Sequence, residues 1–510
     1  MAHRKSPARL RKASRVAHFT ALSTQNAPPV HESLSWQTLA SLEAAITGKV
    51  VVPGDPDYNK DRQESNPAFD IYPKVIVYCA NESDIQECLQ VARKWKIWVA
   101  VRAGGHRSAG YSVNNGMVID VSSLNSVYID YANAIVYAGG GTDWDTFNGV
   151  MNNTGWHVPT GACGSVCVGG FVQGGGYGYT SRAYGIQSDC VTSMRVILVN
   201  GNIVTATANN AYGDLFWALR GGTGGNFGVV TQVGDNMVPL PSVWAWAISW
   251  RATDAAAVLT LMQNEYTVAG CPDQLGYMMN VGFYQGQAVY MVQGMYAGNR
   301  ADTTVTRSES EYMVQGMYAG NRADGLASIQ SLLAFASAQL PVDQVGTYPD
   351  MDAYLENYPY PLPDQPDGTP ESKASCYLAA PMPQSAWQQV VDYVATSPNK
   401  WSLMYTEPYD GAINRYPIQN SAFIHRNVTL NFCVDVFWRD SAERAQMDTW
   451  MRGLLAIVAP YANGEVYQNY ADANLQDFRT AYWGSAYPTL LSIKQKYDPT
   501  NFFHYQQSIS

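Results

Sequence analysis

A run of glycines constrains the fold of this chain more than any other feature of its sequence. Residues 161–189 read GACGSVCVGGFVQGGGYGYTSRAYGIQSD, with seven glycines between Gly164 and Gly178. This composition excludes a helix or a regular sheet, because glycine destabilises the interior of both elements. The pattern indicates a backbone that wraps tightly around a planar ligand. Cys163 lies directly before the run, and by itself it fits a buried structural thiol.

Two further glycine-rich segments have the same loop character. Residues 101–110, VRAGGHRSAG, follow a strand pattern and place His106 after Gly104 and Gly105, whose backbone N–H groups suit a pyrophosphate. Taken alone, His106 fits a polar surface or core residue. Residues 215–231, LFWALRGGTGGNFGVVT, lack the G-x-G-x-x-G spacing, and no acidic residue follows about 20 positions later. A nicotinamide-binding Rossmann enzyme is therefore disfavoured.

Hydrophobic periodicity divides the chain into distinct stretches. From about residue 72, β-branched runs alternate with a helical pattern that begins at Ser83 and Gln86 in capping-box spacing. The apolar face of that helix is formed by Ile85, Cys88, Leu89 and Ala92. We predict a disordered tail over residues 1–30, a ligand-binding domain over 31–238 and a substrate domain over 239–462. Residues 463–510 are expected to return to the first domain.

Charge and composition narrow the classes of partner. The net charge of -10 and the pI near 5.2 argue against nucleic acid, because phosphate binding needs a basic surface. The basic residues within the first 15 positions are either a targeting signal or a solvated, disordered tail. No stretch approaches the ~20 apolar residues of a membrane helix, and no apolar signal core follows the basic residues. We therefore expect a cytoplasmic protein, with secretion as the alternative.

The cysteines predict neither a disulfide framework nor a metal site. Eight cysteines in a chain of 510 residues are too sparse for a disulfide-stabilised scaffold. Cys163 and Cys167 form a C-x3-C pair, but no cluster of histidines or further cysteines completes a zinc site.

The chain also contains a perfect internal repeat. The sequence YMVQGMYAGNRAD occupies residues 290–302 and recurs at residues 312–324, an offset of 22. Structural repeats need several copies and rarely stay identical, so the pattern indicates a duplication. We expect one copy to form a strand that leads into a helix near residues 327–336, while the other loops out.

Four motifs in fixed order carry a family resemblance. They are RAGGH, C-x-x-V-x-V-G-G followed by GGG-YG, DLFWA-x-RGG-x-GGNFGVVT, and YDPTNFF. In this order they resemble the FAD domain of the vanillyl-alcohol oxidase / p-cresol methylhydroxylase superfamily, and in particular its berberine bridge enzyme-like branch. The resemblance covers residues 67–231 and 420–509. It implies an α+β fold: a two-lobed FAD-binding domain of the p-cresol methylhydroxylase type plus an α/β substrate domain with an antiparallel sheet.

The resemblance implies FAD held covalently at two points. His106 would bond to the 8α-methyl carbon of the isoalloxazine ring and Cys163 to its carbon 6. Val166 corresponds to a position where a small residue accompanies oxidases, because oxygen can reach the reduced ring. Two departures, Cys167 for a usual glycine and Phe171 for a usual histidine, bear on packing around the flavin. The implied cofactor contacts are Arg102, Gly104, Gly105, Gly110, Val166, Gly169, Gly170, Gly174, Gly175, Gly178, Asn226, Gly228, Val229 and Asn501.

The same resemblance suggests which side chains act on the substrate. Tyr470, in YQNYAD, corresponds to a tyrosinate with a lowered pKa that takes a hydroxyl proton; Tyr467 is the second candidate. Tyr177 corresponds to another active-site tyrosine. In LNFCVDVFW, Asn431, Cys433 and Asp435 alternate onto one strand face, which in relatives faces the substrate. Asp435 is our candidate for the carboxylate beside Tyr470, although a solvated aspartate fits equally well. The 34 tyrosines of the chain make a core role the default for each.

These expectations favour an enzyme over a binding protein. We expect an oxidase that moves hydride from a substrate C–H bond to FAD and reduces O2 to H2O2. Relatives oxidise either sugars to lactones or alcohols on natural products, and the missing signal core favours natural-product tailoring. The alternatives are a carbohydrate oxidase, a dehydrogenase of the same fold and a non-catalytic flavin-binding protein. The expected partners are a small-molecule substrate and O2, without nucleic acid or membrane.

Overall fold

The computed structural model of the protein describes residues 34–284, 287–291, 311–356 and 368–510. Within these ranges the chain forms helices and mainly antiparallel sheets, which confirms the predicted α+β fold. The tail predicted over residues 1–30 lies outside the described residues.

The first lobe is a small sheet covered by helices. Its strands are β1 (Lys49–Val51), β2 (Val75–Tyr78), β3 (Val99–Arg102) and β4 (Met117–Asp120). The strand order is β1-β2-β4-β3, and β2 and β3 both run parallel to β4. The accompanying helices are α1 (Trp36–Ala45), α2 (Tyr58–Asp61) and α3 (Glu82–Trp95).

Helix α3 forms where its apolar periodicity predicts it. Ile85, Cys88 and Leu89 are buried in the core of this lobe, as expected from their shared face. The predicted capping box at Ser83 is wrong, because the side chain of Asn81 accepts the backbone N–H of Asp84 and caps the helix earlier. Strand β3 follows and delivers the chain into the turn that contains His106.

The second lobe is built on an antiparallel sheet of order β5-β6-β10-β8-β9, with β7 and β11 paired beside it. Its strands are β5 (Val127–Asp130), β6 (Ile135–Gly139), β7 (Trp156–His157), β8 (Val191–Ile197), β9 (Ile203–Ala206), β10 (Val229–Asn236) and β11 (Val238–Pro239). Its helices are α4 (Trp144–Met151), α5 (Val168–Phe171), α6 (Ser181–Tyr184), α7 (Gln187–Cys190) and α8 (Gly213–Leu219). The glycine run thus supplies only short helical turns, α5 to α7, between loops.

The last lobe contains a large, mixed but mainly antiparallel sheet of order β16-β12-β15-β14-β13-β18-β19-β17. Its strands are β12 (Val243–Arg251), β13 (Leu275–Tyr284), β14 (Gln287–Met291), β15 (Glu311–Tyr318), β16 (Gln339–Gly346), β17 (Glu371–Leu378), β18 (Leu403–Pro408) and β19 (Leu430–Phe437). The helices before its last strand are α9 (Ala255–Leu261), α10 (Arg322–Ser328), α11 (Gln330–Leu333), α12 (Tyr348–Glu356), α13 (Gln384–Val394) and α14 (Ala412–Arg415). Helix α15 (Ser441–Val458) follows β19.

The two faces of this sheet differ in chemistry. Met404, Phe432 and Val434 lie in one core with Trp387 of α13 and Leu454 of α15. Because side chains alternate along a strand, the neighbouring positions of β17, β18 and β19 point to the opposite face. That face lines a cavity against the first two lobes.

The C-terminal residues lie beside the second lobe. Helices α16 (Phe478–Trp483) and α17 (Tyr487–Tyr497) follow the large sheet and helix α15 in sequence. Their Trp483 and Leu490 side chains share a hydrophobic core with Phe216 and Val233. Residues of the predicted C-terminal return segment therefore share a core with residues of the first predicted domain.

The two copies of the repeat pair with the same strand, β13, at neighbouring positions along it. The second copy contributes β15 and the start of α10, as predicted for one of the two copies. The first copy ends β14 at Met291, and most of its remaining residues lie outside the described ranges. Strand β13 pairs with β14 from Asn280, opposite Met291, and with β15 from Met278, opposite Gln315. If 22 residues were removed between β14 and β15, the two strands would form one continuous partner for β13 with the same register.

We predict that deleting residues 292–313, one full period, preserves the fold. The deletion joins Met291 to Val314 and leaves the register on β13 unchanged. A shorter connection costs less loop-closure entropy, so the free energy of unfolding should stay equal or rise by about 1–2 kcal/mol. Thermal unfolding and the visible flavin spectrum would check this. A 13-residue deletion within the same range, which breaks the period, is the matched control. Loss of soluble protein with the 22-residue deletion would contradict the continuous-strand interpretation.

Candidate active site

The three glycine-rich segments meet at one large cavity. The cavity has a volume of about 1330 Å³ and is lined by residues from all three segments and from the large sheet. Drug-sized ligands occupy roughly 300–1,000 Å³. The space therefore suits a large cofactor together with a substrate.

His106 and Cys163 face this cavity from two touching loops. A Cβ on Gly104 would lie 2.9 Å from the Ser165 carbonyl oxygen, so the loops approach as closely as backbones allow. His106 Nε2 is hydrogen-bonded to Ser165 Oγ at 3.0 Å, which leaves Nδ1 for a covalent bond. Burial lowers the pKa of His106 and raises the pKa of the Cys163 thiol. The two predicted attachment residues are thus brought together.

A second part of the cavity offers donors to an anion. Arg107 Nη2 donates to the Tyr505 hydroxyl at 3.0 Å, and Nη1 reaches the Gly224 carbonyl at 3.4 Å. Arg107 Nε and the Tyr111 hydroxyl are buried without a hydrogen-bond partner within the described residues. Burial raises the pKa of Tyr111 to about 12, so it remains a donor. Such orphaned donors beside a glycine loop fit a pyrophosphate, which supports FAD as the ligand. Arg107 is absent from the predicted cofactor contacts, although it directly follows His106.

Many of the predicted cofactor residues line the cavity. Phe171 lines the cavity, and the centroid of its ring lies 5.2 Å from the centroid of the Trp144 ring. Cys167 lies at the same wall, but its Sγ contacts the Gly141 carbonyl oxygen at 3.4 Å, and burial raises its pKa to about 12. Cys167 is therefore a poor rival to Cys163. The predicted contacts that line the cavity are His106, Cys163, Gly104, Gly105, Gly110, Val166, Gly169, Gly170 and Gly228.

Three predicted glycines serve packing instead of lining the cavity. A Cβ on Gly174 would lie 1.9 Å from Asn469 Oδ1, and one on Gly178 would lie 1.7 Å from the Thr160 carbonyl oxygen. Gly175 has a φ of +116°, a conformation that other residues rarely adopt. In the structure these glycines bring neighbouring segments close, and their assignment as direct ligand contacts stays a prediction.

Four other predicted contacts also lie away from the cavity lining. Arg102 forms a buried ion pair with Asp120 at 2.6 Å. Asn226 is fully buried, and its side chain donates to the Gly222 carbonyl at 3.0 Å, so it organises the loop. Val229 is a core residue of the sheet. Asn501 lies in a turn with φ of +49°.

The opposite wall carries charged groups from the large sheet. Lys373 Nζ pairs with Asp435 Oδ2 at 2.8 Å and also donates to the Tyr405 hydroxyl at 3.3 Å. Burial opposes the Lys373 charge, but Asp435 and Glu371 outweigh it and raise the pKa of Lys373. The wall therefore holds a buried Lys373–Asp435 ion pair in a region of low dielectric.

Tyr470 and Glu407 form the central acid–base pair. The Tyr470 hydroxyl donates to Glu407 Oε1 at 2.5 Å, and Asn431 Nδ2 donates to Glu407 Oε2 at 2.8 Å. Burial raises the pKa of Glu407 to about 7. The candidate carboxylate Asp435 is therefore wrong for this contact, since its ion pair with Lys373 holds it elsewhere on the same face. Glu407 lies in SLMYTEP, where Tyr405 and Glu407 alternate onto the cavity face; that alternation was the available signal.

The expectation of a lowered pKa for Tyr470 is wrong. Burial raises the pKa of Tyr470, and the nearby Glu407 carboxylate raises it further. Lys373 Nζ lies 4.7 Å from the centroid of the Tyr470 ring. Its positive charge stabilises negative charge on Tyr470 only after the phenol has lost its proton. Tyr470 is thus a neutral phenol that can take a proton while it gives its own to Glu407.

The other two predicted tyrosines line the cavity with their hydroxyls engaged. Tyr467 accepts the backbone N–H groups of Gly176 and Tyr177 at 3.0 and 3.1 Å, and the Asn469 amide at 3.0 Å. The Tyr177 hydroxyl donates to the Pro408 carbonyl at 3.1 Å. These contacts hold the glycine run against β18, so both tyrosines position the site and Tyr470 is the better candidate base.

Among the described helices, none combines the length and apolar character needed to cross a membrane. In the part of the chain that the structure describes, no group of three or more His, Cys, Asp or Glu side chains is arranged to hold a metal ion.

Comparisons with known proteins agree with this geometry. Residues 73–207 match the family model "FAD binding domain", and residues 466–510 match "Berberine and berberine like". The FAD-linked oxidoreductase YgaK of Bacillus subtilis is 26% identical, over 91% of this chain and 97% of the relative. The structure of Physcomitrella patens BBE-like 1 has a TM-score of 0.81 at 22% identity, over 93% of this chain and 99% of that one.

A further structural relative is the xylooligosaccharide oxidase from Myceliophthora thermophila C1, solved with xylobiose. It has a TM-score of 0.77 at 22% identity, over 92% of this chain and 98% of that one. The matched segments contain His106, Cys163 and Tyr470. The fold agrees over nearly the full length. The chain therefore carries an FAD-binding domain and a berberine-like C-terminal segment, and it is similar over most of its length to FAD-linked oxidoreductases, as its motifs predict.

Proposed function

We propose that the protein is an oxidase that takes hydride from the carbon of an alcohol or sugar hydroxyl group, with O2 reduced to H2O2. The bound FAD supplies a ring that accepts the hydride and passes the electrons to oxygen. The observation that carries this proposal is the Tyr470–Glu407 pair, which shares one cavity with His106 and Cys163. Hydride transfer from an alcohol requires a base for the hydroxyl proton, and this pair provides it.

Several side chains of the cavity act together to move the proton of the substrate hydroxyl group. The substrate hydroxyl donates to the Tyr470 oxygen, whose own proton already points to Glu407 Oε1. Asn431 holds the other Glu407 oxygen in place. The Lys373 ammonium group stabilises the charge that develops on the Tyr470 ring. The proton therefore passes from substrate to carboxylate without a free tyrosinate in the resting enzyme.

We propose that His106 and Cys163 both bond to the FAD. Support comes from their position on two touching loops at the same cavity. Anchors on one edge of the ring leave the rest of the cavity to a bulky substrate. Val166 lies in the same lining and is small enough to leave oxygen a path, which supports an oxidase over a dehydrogenase.

Two substrate classes fit the proposal. Our first choice is an alcohol on a natural product, oxidised in the cytoplasm, because the cavity is wide and its lining includes Met278 and Phe437. The second is an oligosaccharide oxidised to a lactone. Asp435 Oδ1 is buried without a hydrogen-bond partner among the described residues and lines the cavity, so it suits a sugar hydroxyl donor.

Covalent attachment predicts where the flavin colour goes after acid precipitation. It should stay with the protein for the wild type and for His106→Ala or Cys163→Ala, because one bond remains in each. The double variant should release the flavin to the supernatant. Absorbance of both fractions and masses of the peptides around residues 106 and 163 measure this, with Cys167→Ala as the matched thiol control. Flavin in the wild-type supernatant would refute covalent attachment.

The Tyr470–Glu407 pair predicts an acid limb in the pH profile. Glu407 must be ionised to accept the proton, so kcat should fall about tenfold per pH unit below pH 7 and level off above it. Glu407→Gln and Tyr470→Phe should each lower kcat by roughly 10²–10⁴. Steady-state kinetics across pH 5–9 measures this. The exposed Glu265→Gln is the control for charge loss. An unchanged acid limb in Glu407→Gln would assign the base to another group.

Oxidase activity predicts peroxide from a substrate panel. We expect H2O2 with at least one member of a mixed set of oligosaccharides and of polyketide- or peptide-linked alcohols. A response confined to alcohols supports tailoring chemistry, and a response to sugars supports the second class. Stopped-flow reoxidation of the reduced enzyme in air tests the acceptor directly. A return that takes minutes would refute the oxidase and favour a dehydrogenase.

A further inference from the structure

Ser165 lies between the two attachment residues. Its Oγ is 3.0 Å from His106 Nε2 and 3.6 Å from Cys163 Sγ, a normal length for a hydrogen bond to sulfur. Ser165 is exposed beside the cavity-lining residues Cys163 and Val166, and a turn closed by the Val166 N–H and the Cys163 carbonyl holds it there. One hydroxyl thus contacts both side chains that are proposed to bond to the cofactor.

We infer that Ser165 relays the thiol proton of Cys163 to His106 Nε2 when the sulfur bonds to the flavin. This inference rests on the covalent attachment proposed above and adds the group that makes the second bond possible. Ser165 acts through Cys163 and His106, so it is a positioning and relay residue.

The direction of the relay follows from hydrogen-bond chemistry. Once His106 is bonded through Nδ1, its Nε2 carries only a lone pair and must accept. The Ser165 hydroxyl therefore donates to His106, and its oxygen remains free to accept from the Cys163 thiol. Burial lowers the pKa of His106 and raises the pKa of Cys163. The thiol therefore needs a base, because only a thiolate is an effective nucleophile.

The bond-forming step balances with oxygen as the oxidant. The Cys163 S–H bond breaks, and its proton passes through Ser165 to His106 Nε2. The sulfur then bonds to carbon 6 of the ring, which takes up two electrons, and the hydrogen on that carbon leaves as a proton. O2 accepts the two electrons and two protons to form H2O2, which returns the ring to its oxidised state.

Other titratable groups also face this pair. Glu356 of α12 accepts the Gly164 N–H at 3.2 Å and contacts Cys163, so it is the rival base. Lys373 and Glu371 of β17 act on His106 through their charges. Lys373 and Glu371 carry opposite charges, and neither forms a hydrogen bond to the thiol in the described structure. The direct contacts therefore reduce the choice to Ser165 and Glu356.

The test is the state of the flavin in Ser165→Ala. The purified protein should carry flavin bonded at His106 alone, with the spectrum and peptide masses of Cys163→Ala. Ser165→Thr keeps the hydroxyl and should restore the second bond, and Glu356→Gln should leave both bonds intact. Incubation of Ser165→Ala in air should form the second bond slowly, about tenfold faster per pH unit as hydroxide replaces the relay.

Each outcome decides between explanations. Two complete bonds in freshly purified Ser165→Ala would refute the relay, and a missing second bond in Glu356→Gln would assign the base to that carboxylate. A second bond that never forms in Ser165→Ala at any pH would show that Ser165 serves only packing. A wild-type protein without the Cys163 bond would instead refute the proposed attachment itself. The Ser165→Thr variant separates these results from a failure to fold.

Discussion

The contact between the two attachment loops is the constraint on which the site depends. The backbone at Gly104 touches the Ser165 carbonyl and the Cys167 sulfur so closely that no side chain fits between them. Strand β3 fixes one loop and helix α5 fixes the other, so their separation is set by the packing of two lobes. Because His106 and Cys163 sit on these loops, their spacing is rigid before any ligand binds. Pre-organisation of this kind lowers the entropy cost of the two flavin bonds that we propose.

Burial sets the chemistry on both walls of the cavity, with opposite consequences for acids and bases. On the sheet side it raises the pKa of Glu407 to about 7, which makes a carboxylate a useful base near neutral pH. It also raises the pKa of Tyr470, so the phenol keeps its proton until Glu407 can take it. On the loop side burial keeps His106 neutral and Cys163 protonated. Both walls therefore need a partner that passes protons, which is the role we propose for Glu407 on the sheet side and for Ser165 on the loop side.

The sequence predicted best where a backbone constraint leaves a local signal. The glycine loops, the α3 face and the position of Tyr470 follow from spacing and motif, and the structure confirms their placement. Glu407 was missed because its strand carries no motif, and its role depends on a partner 63 residues away. The sequence does not separate two roles for Gly174 and Gly178, because a glycine required by a ligand and one required by a neighbouring segment give the same pattern.

The duplicated segment shows how the large sheet tolerates change without loss of the site. Strand β13 carries Met278 and Asn280 to the cavity and pairs with β18 on one edge and with both repeat copies on the other. Because the insertion spans a full 22-residue period, its register on β13 is the same on either side of the break. A slip of one residue would have turned the cavity-facing side chains into the core. The side chains of Met278 and Asn280 therefore keep the same face of the sheet on both sides of the break.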